Sequence, residues 1–141
     1  MDFDQSASFL LAKVSTAHKN MLERVMGEIG LHGGQVFILF ALWERDGLRQ
    51  IDIAEAVNLA APTVNKTING LAEKGFVSRN RYDDDARSTR IFLTEAGKAI
   101  RPEVEQQWQK LEERIVEDMT ETERLILPQL LVKLLENYLN R

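Results

Sequence analysis

The stretch RYDDDARSTR, residues 81–90, places charged side chains between two short apolar runs, residues 76–77 and 91–93. Three kinds of chemistry fit such a stretch: a solvated turn, a carboxylate site for Mg²⁺ or Ca²⁺, and an arginine presented to an anionic partner. The consecutive carboxylates Asp83 to Asp85 point in different directions on a loop tip, and no pattern of Asn, Glu or Gly completes a cation loop around them. The sequence therefore favours turn formers that pair with arginines over a metal site.

The distribution of charge along the chain supports an anionic partner. The chain has a formal net charge of −4 and a sequence pI near 5.3, which taken alone argues against nucleic acid. Residues 61–94, however, hold six basic and four acidic side chains, and three of those acids lie together in RYDDDARSTR. A local basic face on an acidic body is typical of a protein that binds an anion such as nucleic acid.

The chain offers little for catalysis or for binding a metal or cofactor. It contains no pairing of a nucleophile with a base, no phosphate-binding loop and no cofactor fingerprint. It has no cysteine, so thiol chemistry and thiolate zinc sites are excluded. Neither His18 nor His32 has carboxylates at the spacing of metal ligands. The sequence predicts a protein that is not an enzyme and needs neither cofactor nor metal.

Length and composition predict one globular domain. The chain has 141 residues, of which 44% are hydrophobic and 28% charged, which suffices to bury a core. No apolar run approaches the length of a membrane span. The acidic beginning, MDFDQ, lacks the basic region of a signal peptide. We therefore expect a cytoplasmic protein without a membrane partner.

Hydrophobic spacing in the middle of the chain predicts two short helices joined by a tight connection. The first, RQIDIAEAV, stops at Asn58. The second begins at Pro62, where a fixed φ and a missing N–H are harmless, and ends at Gly75. The residues expected to face the core are Ile53, Ala54, Val57, Val64, Ile68 and Leu71. Two such helices form a helix-turn-helix.

The opposite face of the second helix is small and polar, as a surface that reads DNA must be. A helix of roughly 20 Å suits a major groove about 12 Å wide. Ala61 is the expected N-cap and has no side-chain oxygen, so the first N–H groups are left for water or a phosphate oxygen. The outer face comprises Pro62, Thr63, Lys66, Asn69, Gly70 and Glu73, with Asn65 on the flank. The candidates for contact with base edges are Pro62, Thr63, Asn65, Lys66 and Thr67.

The segments around this unit predict a hairpin and long helices. Strand-like runs at residues 76–81 and 89–94 make RYDDDARSTR the tip of a hairpin, and a helix-turn-helix followed by a hairpin is a winged helix. Residues 5–29 read as a helix whose apolar spacing suits a seam with another helix. The capping box of Thr120 and Glu123 opens the last helix. Pro102 is expected to kink helix 95–118, and Pro128 to bend the last helix. The apolar positions of the first and last helices are Ala7, Leu10, Val14, Ala17, Met21, Leu127, Leu130, Leu131, Leu134, Leu135 and Tyr138.

With these elements in order, the chain resembles the MarR/SlyA family of bacterial transcription regulators over nearly its whole length. The resemblance is carried by AAPTVNKTINGLAEKGFVSRNRYDDDARSTRIFLTEAGKAI. Within it, LAEKGFVSR is similar to the exit of the family's recognition helix, and DARSTRIFLT to its wing. The implied fold is mainly α, an α+β winged helix at residues 34–94 with its wing at 82–89, flanked by dimerisation helices at 5–29 and 120–141 and a linking helix at 95–118.

The resemblance also implies a function, that of a repressor released from double-stranded DNA by a small ligand. Members are homodimers that lay one recognition helix per subunit in the major groove of a pseudo-palindromic operator. The wing arginine, here Arg87, enters the minor groove, and Asp85 orients the wing by pairing with Arg90. Pro62, Thr63 and Lys66 take the helix contacts.

An effector pocket for small aromatic or phenolic acids is implied between the dimer helices and the winged domain. Ordinary core packing is the alternative for each of its aromatic residues. The candidates are Phe9, Lys13, His18, Met21, Phe37, Phe40 and Trp43. Ala60, Ala61, Gly70 and Arg49 depart from the family's usual residues, which predicts sparser base contacts and more reliance on the wing and on DNA shape. They also leave open a winged-helix protein-interaction module without DNA binding.

Overall fold

A computed structural model describes residues 1–81 and 89–139 of the chain. A short 3₁₀-helix, Phe3–Gln5, precedes the first α-helix. The helices are α1 (Ala7–Gly27), α2 (Gly33–Glu44), α3 (Gln50–Val57), α4 (Ala61–Glu73), α5 (Glu95–Ala99), α6 (Arg101–Ile115) and α7 (Glu121–Leu139). The strands are β1 (Leu48–Arg49), β2 (Val77–Arg81) and β3 (Thr89–Leu93), in an antiparallel sheet of order β1-β3-β2. This is the expected winged helix.

The core forms around α2, whose apolar residues occupy nearly its whole circumference. The second half of α1 packs against α2 and α6, while α3, α4 and the sheet enclose the other side. The side chains that are buried completely are Met26, Val36, Ile38, Leu39, Leu42, Ile53, Val64, Ile68, Leu71, Ile91 and Val104. Because α4 contributes three of these residues on one face, its other face is fixed outward.

The helix-turn-helix has the predicted core residues and one different boundary. Val64, Ile68 and Leu71 are fully buried, as the spacing predicted, and Asn58 ends α3 in the left-handed conformation with a φ of 55°. The N-cap of α4 is Ala60 rather than Ala61. Ala60 has extended backbone angles, and its carbonyl accepts the first helical hydrogen bond from the Val64 N–H at 3.1 Å.

Gly70 lies with Lys66 and Asn69 on the face of α4 where the sequence placed it, but it is only half-exposed. A Cβ at this position would lie 2.7 Å from Nε2 of Gln35, a residue of α2 that is 4% exposed. The missing side chain therefore allows the buried amide of α2 to approach α4, a close contact that the spacing of α4 alone did not predict.

The sheet is one strand larger than the predicted hairpin. β2 and β3 pair so that Val77 lies opposite Leu93 and Arg81 opposite Thr89. The two-residue strand β1 joins the other edge of β3, with Leu48 opposite Ile91. Of the expected wing at 82–89, only Thr89 is described. Asp83, Asp84, Asp85 and Arg87 lie outside the described residues.

The expected linking helix at 95–118 is two helices. α5 ends at Ala99 and α6 begins at Arg101, with Ile100 between them. Because Pro102 has no N–H with which to continue the hydrogen bonds of α5, the helix is interrupted at the place where a kink was expected. Gly97 of α5 packs against the backbone carbonyl of Phe76, in the space a Cβ would need, and accepts a hydrogen bond from Trp43 Nε1 at 2.9 Å.

α7 begins with the predicted capping box and continues through its proline. The Thr120 N–H donates to Glu123 Oε1 at 2.9 Å, and the Glu123 N–H donates to Thr120 Oγ1 at 3.2 Å. Pro128 lies inside a helix that runs unbroken to Leu139. No residue of α7 is buried. Within the described ranges, no helix is both long and apolar enough to cross a membrane.

Candidate nucleic-acid interface

The outer face of α4 presents most of the residues that the sequence assigned to DNA. Pro62, Thr63, Asn65 and Lys66 are exposed, and Thr67 is half-buried. The Thr67 hydroxyl donates to the Thr63 carbonyl at 2.8 Å, which leaves its oxygen to act as an acceptor. Because Ala60 carries no side-chain oxygen, no side chain caps the beginning of α4. The face is thus a short polar rod with an uncapped, positively polarised N-terminus.

A cleft of about 790 Å³ runs beside this face, between α3, α4 and the sheet. We call it the arginine cleft, because Arg49, Arg79 and Arg81 line it together with Gln50 and Asn65. Arg49 precedes α3, and Arg79 and Arg81 occupy alternate positions of β2. Three guanidinium groups along one concave surface have the charge and the hydrogen-bonding geometry to hold a phosphate backbone.

Asn65 lies at the centre of a hydrogen-bond network in the arginine cleft. Its Oδ1 accepts from Gln50 Nε2 at 3.0 Å and from Arg79 Nη2 at 3.2 Å. Arg79 Nη2 also reaches the Asn65 backbone carbonyl at 3.3 Å. The network ties β2 to α4 and α4 to α3, so that the three elements keep their relative positions.

Two carboxylates, Asp52 and Glu55, also line the arginine cleft and reduce its positive charge. Asp52 accepts from Nε and Nη2 of Arg49 at 2.9 and 3.2 Å. These hydrogen bonds hold the pKa of Asp52 below its usual value, and the positive charges of Arg49, Arg90 and Arg45 act in the same direction. Asp52 is therefore ionised at neutral pH. It fixes the orientation of Arg49 and leaves Arg79 and Arg81 as the more strongly cationic members.

Arg90, a predicted DNA contact, also stabilises the turn before β1 through a hydrogen bond. Its Nη1 donates to the Gly47 carbonyl at 2.9 Å, although the residue as a whole is exposed. The expected partner, Asp85, and the expected minor-groove residue, Arg87, lie outside the described residues. The assignments of these two residues to the wing remain predictions.

A second recess, of about 530 Å³, lies on the other side of α4, where Lys66 and Asn69 face the beginning of α2. Below it, Lys74 Nζ donates to the Gly30 carbonyl at 2.7 Å and to Gln35 Oε1 at 2.9 Å. The same Oε1 accepts from the His32 N–H at 3.0 Å. These bonds attach the end of α4 to the turn between α1 and α2.

Most of the residues expected to form the effector pocket lie at two separate recesses of the surface. Phe40 and Trp43 line recesses of about 300–370 Å³ with Arg101 and Trp108. The Arg101 guanidinium lies 5.6 Å from the Trp43 ring centroid, and the Phe40 and Trp108 rings meet edge to face at 4.9 Å.

Phe37 joins the same aromatic cluster, 5.9 Å from Phe40. Phe9 and Lys13 lie apart, on an open recess of α1, with Lys13 Nζ 5.2 Å from the Phe9 ring centroid. Met21 packs against the core, and half-buried His18 lies between these regions on α1. A single chain therefore does not assemble the whole set of seven residues.

Several residues of this surface escaped the sequence analysis. The sequence singles out Arg49 only as a departure from the family's usual residues, and it does not assign Gln50, Arg79 or Arg81 to DNA. The alternation of Arg79 and Arg81 in a strand was the available signal, because residues two apart in a strand share a face. Arg101 and Trp108 beside the aromatic cluster carried no comparable signal.

The fold and this surface define a class of protein, the winged helix-turn-helix DNA-binding proteins. A solvent-facing second helix, an arginine-lined cleft and a β-hairpin lie on one side of the molecule, which is the arrangement by which such proteins engage a duplex.

Comparison with known proteins shows which transcription regulators this chain is similar to. The MarR family model matches residues 31–89. The transcriptional repressor YetL of Bacillus subtilis is 32% identical over 91 residues, which are 63% of this chain and 54% of YetL. The structure of S. aureus MepR in complex with DNA superposes with a TM-score of 0.81 at 25% identity and covers 94% of this chain and 98% of that chain.

Bordetella bronchiseptica BpsR, whose DNA binding is regulated by 6-hydroxynicotinic acid, shares the fold with a TM-score of 0.84 at 20% identity, over 95% of this chain and 97% of that chain. Residues 31–89 thus form a domain of the MarR type, and the chain is a DNA-binding transcriptional regulator.

Proposed function

We propose that the chain is a homodimeric repressor that binds a pseudo-palindromic operator and is released by a small aromatic acid. The main observation in support of DNA binding is that the exposed face of α4 and the arginine cleft are continuous on one side of the molecule. In the proposed complex α4 enters the major groove, the arginine cleft follows the adjacent phosphates, and Arg87 of the wing enters the minor groove. The proposal assigns the protein no catalytic role and places it in the cytoplasm.

Pro62, Thr63, Asn65, Lys66 and Thr67 are proposed to face the bases. Arg79 and Arg81 take phosphates, which fix the register of the helix without reading sequence. The chain as a whole is acidic, with a net charge of −4. Long-range attraction to DNA is therefore weak, and affinity depends on these local cations and falls steeply as salt is added.

Binding to duplexes selected by the wild-type chain from a random pool tests this proposal. Arg87→Ala should weaken binding by ~1–3 kcal/mol, because the guanidinium no longer reaches the minor groove. Arg114→Ala is the matched control, because it removes the same charge from α6, where Arg114 pairs with Glu117 at 2.7 Å. Equal effects of the two variants would exclude a specific wing contact. A wild-type chain that selects no duplex would instead favour a protein-interaction module.

The dimer is proposed from apolar surface that one chain leaves exposed. α7 exposes large apolar side chains around its circumference, and the first half of α1 exposes Leu10 and Val14 at 47% and 62%. The large apolar residues that α7 exposes are Leu125, Ile126, Leu130, Leu131, Val132, Leu134, Leu135, Tyr138 and Leu139. A patch of this extent is rare on a monomer, and covering one such half-exposed side chain contributes roughly half of the ~1.5–3 kcal/mol that full burial gives.

The oligomeric state of a charge-matched pair of variants tests the dimer. Leu130→Glu places a carboxylate in the apolar patch, whereas Gln129→Glu adds the same charge at a neighbouring polar position. Sedimentation equilibrium should show a shift toward monomer for Leu130→Glu alone. A monomeric wild type would refute the proposal.

The proposed ligand site is the recess of Phe40, Trp43, Arg101 and Trp108. Its aromatic rings suit a flat ligand, and the Arg101 guanidinium suits a carboxylate, although Arg101 also pairs with Glu105 at 2.8 Å. Titration with benzoate, followed by tryptophan fluorescence and by release of DNA, tests the site. Arg101→Met should abolish both responses, and the exposed Lys98→Met should leave both unchanged.

A further inference from the structure

The Asn65 amide has a fixed orientation, because one of its partners can only donate hydrogen bonds. Arg79 carries N–H donors and no acceptor, so the atom that it reaches at 3.2 Å must be the Asn65 oxygen. Gln50 donates to the same oxygen at 3.0 Å. Two donors fill the two lone pairs of that oxygen.

The other end of the Asn65 amide faces the solvent. Asn65 is an exposed residue, and its Nδ2 donates to no atom of the chain within residues 1–81 and 89–139. The residue lies on the α4 flank that borders the arginine cleft. At this position the protein therefore offers a hydrogen-bond donor without an accompanying acceptor.

We propose that Asn65 reads the operator only as a hydrogen-bond donor and prefers guanine at the base it contacts. An asparagine with both ends free pairs with adenine, donating to N7 and accepting from the N6 amino group. The acceptor half of that pairing is occupied here. Guanine presents N7 and O6, two acceptors that one NH₂ group can serve, whereas cytosine presents a donor that Asn65 cannot accept.

The inference rests on the proposed placement of α4 in the major groove and assigns Arg79 a second role. Besides facing a phosphate, Arg79 acts as a positioning residue that withholds the Asn65 oxygen from the bases. Removing Arg79 should thus alter which base is preferred, and not only how tightly DNA binds.

Arg79→Met and Arg81→Met form the matched pair for the test. Both remove one positive charge from β2, but only Arg79 is bonded to Asn65. Affinities are measured by fluorescence anisotropy for the selected operator and for duplexes with each base substituted in turn. The wild type should prefer guanine over adenine at one position by about tenfold. Arg79→Met should reduce that ratio about tenfold at this position alone, while Arg81→Met should lower all affinities and leave the ratio unchanged.

Asn65→Asp is the second variant, and it reverses the hydrogen-bonding character. A carboxylate still accepts from Gln50 and Arg79, but its other oxygen accepts instead of donating. The preferred base at the same position should change from guanine to cytosine, whose N4 amino group donates. Circular dichroism checks that each variant is folded.

The outcomes separate this inference from the proposed function. If the wild type selects no duplex, the proposed function fails. If the wild type binds DNA and either Arg79→Met keeps the wild-type base preferences or Asn65→Asp still prefers guanine, the function stands and the donor-only assignment is overturned.

Discussion

Gly70→Ala sets two opposing effects against each other, and their magnitudes can be compared from the structure. The substitution improves helix propensity at an interior position of α4 by ~1 kcal/mol. The new methyl group, however, would lie 2.7 Å from Nε2 of Gln35. Gln35 is buried and cannot yield simply by moving into solvent.

Displacing the Gln35 amide has a cost that exceeds the gain in propensity. Its Oε1 accepts from the His32 N–H at 3.0 Å and from Lys74 Nζ at 2.9 Å. Loss of the first bond costs ~0.5–1.5 kcal/mol and loss of the second, which involves a charged donor, ~1.5–3 kcal/mol. Set against the gain of ~1 kcal/mol, Gly70→Ala should lower the free energy of unfolding by about 1–3.5 kcal/mol.

A double-mutant cycle with Gln35→Ala measures this effect. Unfolding is followed by circular dichroism in urea at one protomer concentration, because dimerisation makes stability depend on concentration. In the Gln35→Ala background the clash is absent, and Gly70→Ala should stabilise the chain by ~1 kcal/mol. Stabilisation of the otherwise unchanged chain by Gly70→Ala, or an equal effect in both backgrounds, would refute the clash with Gln35.

Three further predictions concern α6, acid stability and the arginine cleft. Gln107→Leu should destabilise the fold by ~1–3 kcal/mol in urea unfolding, because Gln107 Nε2 donates to the Val25 carbonyl at 2.6 Å and to Glu28 Oε2 at 2.8 Å; an unchanged midpoint would contradict this. The hydrogen bonds from Gln107 and then Lys110 hold the pKa of Glu28 below its usual value, so its contribution to stability is present above the ordinary glutamate pKa and is lost as the pH falls through the lowered one. Glu28→Gln should accordingly reduce the acid-side loss of thermal stability, and an identical pH profile would refute the assignment. Arg81→Met should reduce the slope of log affinity against log salt by about one unit, measured by anisotropy, and an unchanged slope would show that Arg81 contacts no phosphate.

Local patterns in the sequence predicted the parts of the fold that local interactions determine. The core face of α4, Val64, Ile68 and Leu71, follows from helical periodicity, and Asn58 ends α3 because its side chain tolerates a left-handed backbone. The capping box of Thr120 and Glu123 involves only neighbouring residues, and it is present as predicted.

Features that depend on distant parts of the chain were missed. The close approach of Gln35 to Gly70 was not predicted, because periodicity cannot show that a residue from another helix approaches that flank of α4. β1 has two residues, too few for a pattern of alternation, and exists because β3 offers it an edge.

The candidate interface likewise has a part that local sequence patterns predicted and a part that depends on distant residues. The exposed residues of α4 were predicted from one helix, whereas the arginine cleft combines Arg49, Asn65 and Arg79, which lie on three different elements. Residue types alone cannot reveal which donors meet at one oxygen atom. The wing residues Asp85 and Arg87 and the effector pocket remain predictions.

The packing of Gly97 against the carbonyl of Phe76 has a consequence for how this chain can diverge. Any side chain at residue 97 would push α5 away from Phe76, the residue before β2, and separate Trp43 from the carbonyl to which it donates. Residue 97 therefore tolerates no side chain, whereas exposed residues of α4 such as Pro62, Thr63 and Lys66 can be replaced without disturbing the core. Descendants of this gene can therefore acquire new target sequences while their architecture is inherited unchanged.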